Sequence, residues 1–276
     1  MSFPVSLEGT ITDVKECSST QKHPLGTRLV LQDGRVFHYA KNAATQLAVG
    51  KICCTAAQFA DEEVDLTIVA AADGTTSVTQ ATVAVAYSTA AITCAKNRFA
   101  DGYMFVNTGT GAGQSVRLRS AYDSTGNDAG GSSTGATVEV YFADENYFSV
   151  ALDTSASKVG LVQNPYSNVV LCIAWADFAT SAVPVGVPVC TITASYYGWL
   201  QTWGPCPVLM GNAPVEGNKV YVGGSSTGTA GDANSLVNML TSGTGIGGAV
   251  DHPQIGIAMA GDTDAEYALV YLMIAP

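Results

Sequence analysis

Two copies of Gly-Gly-Ser-Ser-Thr-Gly, at residues 130–135 and 223–228, each contain a Gly-x-Ser-x-Gly pattern that would present Ser133 or Ser226 as a hydrolase nucleophile. Such an elbow works only when a buried strand enters the serine and a helix leaves it. The first copy follows the polar run 123–128 and leads into a strand-like run at 137–142, and the second has no helical pattern behind it. Both read as loops. Residues 243–248 fit Gly-x-Gly-x-x-Gly, but Pro253 comes five residues later and leaves no room for the helix whose N-terminus would hold a pyrophosphate. The run 107–113, Asn-Thr-Gly-Thr-Gly-Ala-Gly, lacks the Lys-Ser/Thr of a phosphate-binding loop and reads as a hairpin tip.

Acid–base chemistry would draw on His23, His38 and His252 with the acidic run at Asp61, Glu62, Glu63 and Asp65 or the pair Asp262 and Asp264. His23 and His252 each precede proline in a turn context, and His38 alternates within a strand between Phe37 and Tyr39, so structural roles are the expectation. The acidic run suits a solvated helix end, and Asp262-Thr-Asp264 lacks the glycine and distal glutamate of a calcium loop. No catalytic, cofactor-binding or metal-ligating residues are assigned, and the chain is read as non-enzymatic.

The elements that would carry these residues are mostly strands. Short runs at 27–31, 35–39, 66–71, 77–86, 102–107, 115–120 and 137–142, then 169–175, 187–197, 219–222, 254–259 and 266–274, are separated by Gly, Asp and Asn. Asp33-Gly34 marks a hairpin turn, and residues 261–265 join the last two runs. The closing run barely alternates, which predicts a central strand or one covered on both faces. Residues 51–65 mix alanine and acidic residues with helical spacing and predict one short helix. The expected fold is therefore mainly β: an antiparallel barrel or sandwich over residues 66–276, preceded by a small N-terminal β-unit with a short helix over residues 1–65, a possible docking arm.

The large side chains concentrate in residues 194–204, Ala-Ser-Tyr-Tyr-Gly-Trp-Leu-Gln-Thr-Trp-Gly, which hold two of the three tryptophans. Tyr196, Tyr197, Trp199 and Trp203 are the predicted anchors of a core or an interface. Gly198 is expected to interrupt the strand, and Pro205 and Pro207 to end its pairing.

At 276 residues, 47% of them apolar and 13% charged, the chain can bury a core without disulfides or metals. A net charge of −11 with 12 scattered basic residues argues against nucleic acid as a partner. No run of about 18 apolar residues predicts a membrane span, and Met-Ser-Phe-Pro-Val lacks a signal-peptide pattern, so a chain starting near Met1 in a reducing cytoplasm is expected. The seven cysteines form no Cys-x-x-Cys pair, and most, Cys172 among them, are expected as small buried thiols. The vicinal Cys53-Cys54 pair has no second ligand cluster nearby to make a metal site.

The motifs carry more in order than singly. Leu-Gly-Thr-Arg at 25–28 with Asp-Gly-Arg-Val-Phe-His-Tyr-Ala at 33–40, Val-Ala-Ala-Ala-Asp-Gly at 69–74, Phe-Ala-Asp-Gly-Tyr-Met-Phe-Val-Asn at 99–107 and Gly-Ala-Gly-Gln at 111–114 resemble blocks of tailed-phage virion proteins. Asn164-Pro-Tyr166, the aromatic block at 196–205, Ile-Gly-Ile-Ala at 255–258 and Glu-Tyr-Ala-Leu-Val at 266–270 extend the resemblance over most of the chain. It implies a head decoration, or cement, protein on the exterior of the virion capsid, made in the host cytoplasm. Such a protein has the major capsid protein as partner and is commonly a homotrimer at local three-fold positions. The added cysteines and the loop at 223–248 depart from the pattern, so roles carry over for blocks and not for single contacts. A tail- or fibre-associated virion protein binding another tail protein or a host-surface glycan is the alternative, and a hydrolase using Ser133 or Ser226 stands as a third reading.

Overall fold

The computed structural model describes residues 6–56, 65–71, 80–85, 97–122, 136–143, 147–172, 183–222, 231–235, 253–261, 263 and 266–276. It divides into two compact units, Met1–Ala57 with Pro165–Pro276, and Gln58–Asn164. In chain order, the first segment of the larger unit supplies β1 (Ser6–Gly9), β2 (Arg28–Leu31), β3 (Val36–Lys41) and β4 (Cys53–Cys54). The smaller unit supplies β5 (Leu66–Ala71), β6 (Gln80–Val85), β7 (Tyr103–Thr108), β8 (Ser115–Tyr122), β9 (Ala136–Phe142) and β10 (Lys158–Val162). The remainder supplies β11 (Val170–Leu171), β12 (Pro184–Pro188), β13 (Tyr197–Leu209), β14 (Lys219–Val222), β15 (Ala233–Ser235), β16 (Gln254–Ala258) and β17 (Tyr267–Met273). The fold is mainly β, and the one helical element among the described residues is a 3-10 turn at Asp13–Lys15.

The smaller unit is a closed antiparallel barrel in the order β10-β5-β6-β9-β8-β7. Alternation decides which side chains fill it: Met104 and Val106, Val116 and Leu118, Val138 and Val140, and Val159 and Leu161 point inward, with Phe99, Phe142, Phe148 and Leu152 in the same cluster. A barrel of so few strands is filled by its own side chains. The glycine-rich run at 107–113 is the tip of the β7–β8 hairpin, as expected. Gly109 has φ +82°, and a Cβ there would lie 2.1 Å from the Ala156 carbonyl oxygen, so local packing accounts for that glycine.

The larger unit is built on one sheet in the order β1-β2-β3-β13-β17-β16-β14-β15, with β12 pairing both β13 and β4, and β4 pairing β11. The expected boundary at residue 65 is not where the units fall. β3 pairs with β13 over Tyr197–Trp203, so the N-terminal strands belong to the same sheet as the C-terminal ones. The described part of the expected helix at 51–65 is extended at β4, where buried Cys53 and Cys54 pair with β11 and β12. Tertiary pairing outweighs the weak propensity of that stretch, and residues 57–64 lie outside the described residues. The expected strand at 187–197 is two strands. The chain leaves β12 at Pro188, bridges Leu47 through Ile192, and turns at Ser195, with φ 63°, before β13 begins.

Cys172 is not the free thiol expected. It forms a disulfide with Cys54 across 118 residues, with Cα atoms 5.1 Å apart, inside a cluster that includes Ile52, Val187, Cys206 and Val208. A pairing of such sequence separation leaves no spacing signal to read.

Candidate functional site

β13 is the longest strand and organises the larger unit. Its first half is buried on both faces: Trp199 lies with Leu29, Phe37 and Tyr39 on one side, and Leu200 with Leu47, Val185 and Ile192 on the other. Gly198 does not interrupt it. The strand runs straight through in register with Ala40, and a Cβ at 198 would approach Ile192 Cδ1 to 2.8 Å, so glycine is there for close packing. The indole of Trp199, 3% exposed, meets Tyr39 edge-on at 5.0 Å and lies 5.4 Å from the His23 ring. Tyr197 is half-buried, stacks on Tyr39 at 5.9 Å and receives the Lys41 ammonium 5.7 Å from its ring centre. Tyr196 is 37% exposed, and its carbonyl accepts the Asn42 backbone N–H.

At Thr202 the register slips, because Gln201 faces Phe37 whereas Trp203 faces Val36. This bulge inserts one residue and re-aims the side chains beyond it. The Gln201 amide Nε2, fully buried, donates toward the carbonyls of Trp203 and Pro205 at 3.1 and 2.8 Å. The Thr202 hydroxyl lies 2.7 Å from the Ala275 carbonyl and 3.0 Å from His38 Nδ1. A hydroxyl has one proton, and the carbonyl can only accept, so the Nδ1–H tautomer of His38 donates to Thr202, which donates to Ala275. The imidazole also stacks on Tyr166 at 5.1 Å. Burial, with the Arg28 charge acting the same way, pushes its pKa down to about 4. It is a neutral strand residue tying β3 to the bulge.

Beyond the bulge, Pro205 and Pro207 do not end the pairing, which continues to Leu209 against Tyr267. The reason is parity. Met210 N–H donates to Glu266 on the β17 side, whereas Leu209 N–H donates to Gly50 on the other, so odd-numbered N–H groups point away from β17. Two prolines at odd positions remove no bond from the β13–β17 ladder. The same parity sorts the side chains. Cys206 and Val208 are buried, and Trp203, Pro205, Pro207 and Leu209 face outward with the odd residues of β17.

That outward face is apolar. On β17, Tyr267, Leu269 and Met273 are 51%, 39% and 45% exposed, and Ile257 and Met259 flank them at 37% and 41%. Ile257 stands opposite Tyr271, whose ring meets Trp203 edge-on at 5.7 Å. The closing strand is central, as one of the two expectations had it. β17 lies between β13 and β16, and only its Ala268, Val270 and Leu272 are buried. Its lack of alternation comes from an apolar exposed side, and contiguous apolar patches of this kind mark interaction surfaces. Sequence reasoning placed the aromatic block but missed that Trp203 joins a face built from β16 and β17.

Among the described residues, the remaining candidates do not converge on chemistry. His23 and His38 sit in the β3–β13 packing, and His252, Ser133, Ser226, the 243–248 run, residues 61–63, Asp262 and Asp264 lie outside the described residues. Among the described residues no group of three or more His, Cys, Asp or Glu side chains could hold a metal ion. Cys53 and Cys206 are buried, and burial pushes the Cys206 thiol up to about 12, which disfavours the reactive thiolate. No family model, curated protein or solved structure matches this chain.

Proposed function

We propose that this protein is a non-enzymatic structural component of a phage virion that binds the outer surface of the capsid as a homotrimer and bridges neighbouring major capsid subunits. The observation that supports this reading best is the apolar outward face of β13, β17 and β16, held on a continuous sheet. A face held on a paired sheet confines the ordering entropy lost on binding largely to its side chains, which favours assembly. The order of the sequence motifs supplies the virion context, and the acidic balance, −11 over the chain, suits a surface that docks protein and not phosphate. Tyr197 and Trp199 act inside the fold, whereas Trp203 works at the edge of the docking face.

Co-sedimentation with capsids assembled without this protein tests the proposal. Wild-type protein pellets with the shells, and a double variant, Leu269→Ser with Met273→Ser, binds at least about tenfold more weakly because two anchors lose their apolar surface. Wild-type protein that stays in the supernatant at every shell concentration overturns it.

A further inference from the structure

Outside the apolar face, two half-buried cysteines from distant parts of the chain lie side by side. Cys17 Sγ and Cys190 Sγ are 3.7 Å apart across 173 residues, and both are free thiols. We propose that Cys17 and Cys190 are a modification site: a dithiol that oxidises to a second intrachain disulfide, clasping the segment after β1 to the loop between β12 and β13.

The backbone on both sides is already fixed. Ser18, next to Cys17, exchanges both backbone hydrogen bonds with Tyr197 at 3.0 and 2.8 Å. Ile192, two residues beyond Cys190, exchanges both with Leu47 at 3.0 Å. The sulfurs are held inward as well: Cys17 Sγ lies 3.4 Å from the Thr191 carbonyl, and Cys190 Sγ lies 3.8 Å from the Val14 carbonyl. A disulfide needs the sulfurs at about 2.05 Å, and rotation of the two cysteine side chains is the motion that would bring them there from 3.7 Å. Cys53 and Cys206 are different. Both are buried, and among the described free cysteines Cys17 and Cys190 are the pair whose sulfurs meet.

With a small-molecule disulfide such as oxidised glutathione as the oxidant, the step balances. The Cys17 thiol loses its proton, and the thiolate attacks one glutathione sulfur, breaking the glutathione disulfide and releasing one glutathione thiolate. The Cys190 thiol then gives up its proton, and its sulfur attacks Cys17 Sγ and expels the second glutathione. Two electrons pass from the protein to glutathione, and the two protons lost by the cysteines protonate the departing thiolates. Burial and the neighbouring Cys17 push the Cys190 thiol up to about 12, which disfavours it as the first nucleophile, and conversion of Cys17 to a mixed disulfide removes the Cys17 charge that opposes Cys190 ionisation.

The test uses the whole chain. Protein purified under reducing conditions is equilibrated in glutathione buffers of increasing oxidised fraction, quenched with acid, alkylated and mapped by mass spectrometry without reduction. The expected result is a peptide pair joining Cys17 to Cys190 within monomeric protein, with Cys53 and Cys206 alkylated only after denaturation. In Cys190→Ser, Cys17 is recovered as a mixed disulfide with glutathione. Recovery of wild-type Cys17 and Cys190 as free thiols or as two separate mixed disulfides, at oxidised fractions where Cys54 and Cys172 stay joined, overturns the proposal. So does a cross-link found only in a disulfide-bonded dimer. The result is independent of capsid binding.

Discussion

Trp199 and Trp203 are four positions apart in one strand and answer to different environments. Trp199 fills the pocket between Tyr39, Phe37 and Leu29, and truncation there leaves a cavity that the flanking strands cannot close. Trp199→Ala is expected to lose about 3–5 kcal/mol of unfolding free energy, and Trp203→Ala less than half of that, measured by denaturant titration. His38 supplies a pH signature. Its ring is held neutral, with its pKa pushed down to about 4, while the unfolded chain takes up a proton near the ordinary value of 6.5. The stabilisation is therefore fully present above 6.5, drains away as the pH falls toward 4, and levels off below that. Because part of the ring meets solvent, the loss is on the order of 2 kcal/mol. Comparing wild type with His38→Gln at pH 7.5 and pH 4.5 isolates it: the wild type loses more stability than the variant. The aromatic block was legible from its density of large side chains. The division of labour within it was not, because the bulge at Thr202 that re-aims Trp203 depends on pairing with β3.

At the scale of elements, β13 explains why local rules misled. Gly198, Pro205 and Pro207 read as breakers, yet each fits a central strand once its neighbours are known: Ile192 lies over Gly198, and both prolines point their missing N–H away from β17. Gly198→Ala drives a Cβ to 2.8 Å from Ile192 Cδ1 and is expected to destabilise by about 1–3 kcal/mol. Adding Ile192→Val to that variant relieves part of the clash, so the double variant is less destabilised than the sum of the two singles. Hairpins with their own turn chemistry were readable, as at Asp33-Gly34, where Gly34 has φ +84°, and at the β7–β8 tip. β4 and β15 were not, because strands of two or three residues have no period and exist only through partners far along the chain.

For the whole molecule, composition and strand rhythm conveyed the β class but not the division into a barrel and a sheet, which depends on β3 crossing more than 150 residues of sequence to meet β13. The apolar side of β17 was visible as a run without alternation, and only the burial of its even residues tells which side is free. Light scattering of wild-type protein is expected to give a trimer mass that the Leu269→Ser, Met273→Ser variant retains, because those side chains belong to the capsid-docking face, with little change in its melting temperature because both are already exposed. The central claim is capsid binding, and electron cryo-microscopy of shells assembled without this protein and then incubated with it tests that most directly. The predicted result is added density on the outer surface at local three-fold positions, touching neighbouring capsid subunits. Bare shells at saturating protein, or density confined to a tail, would contradict it.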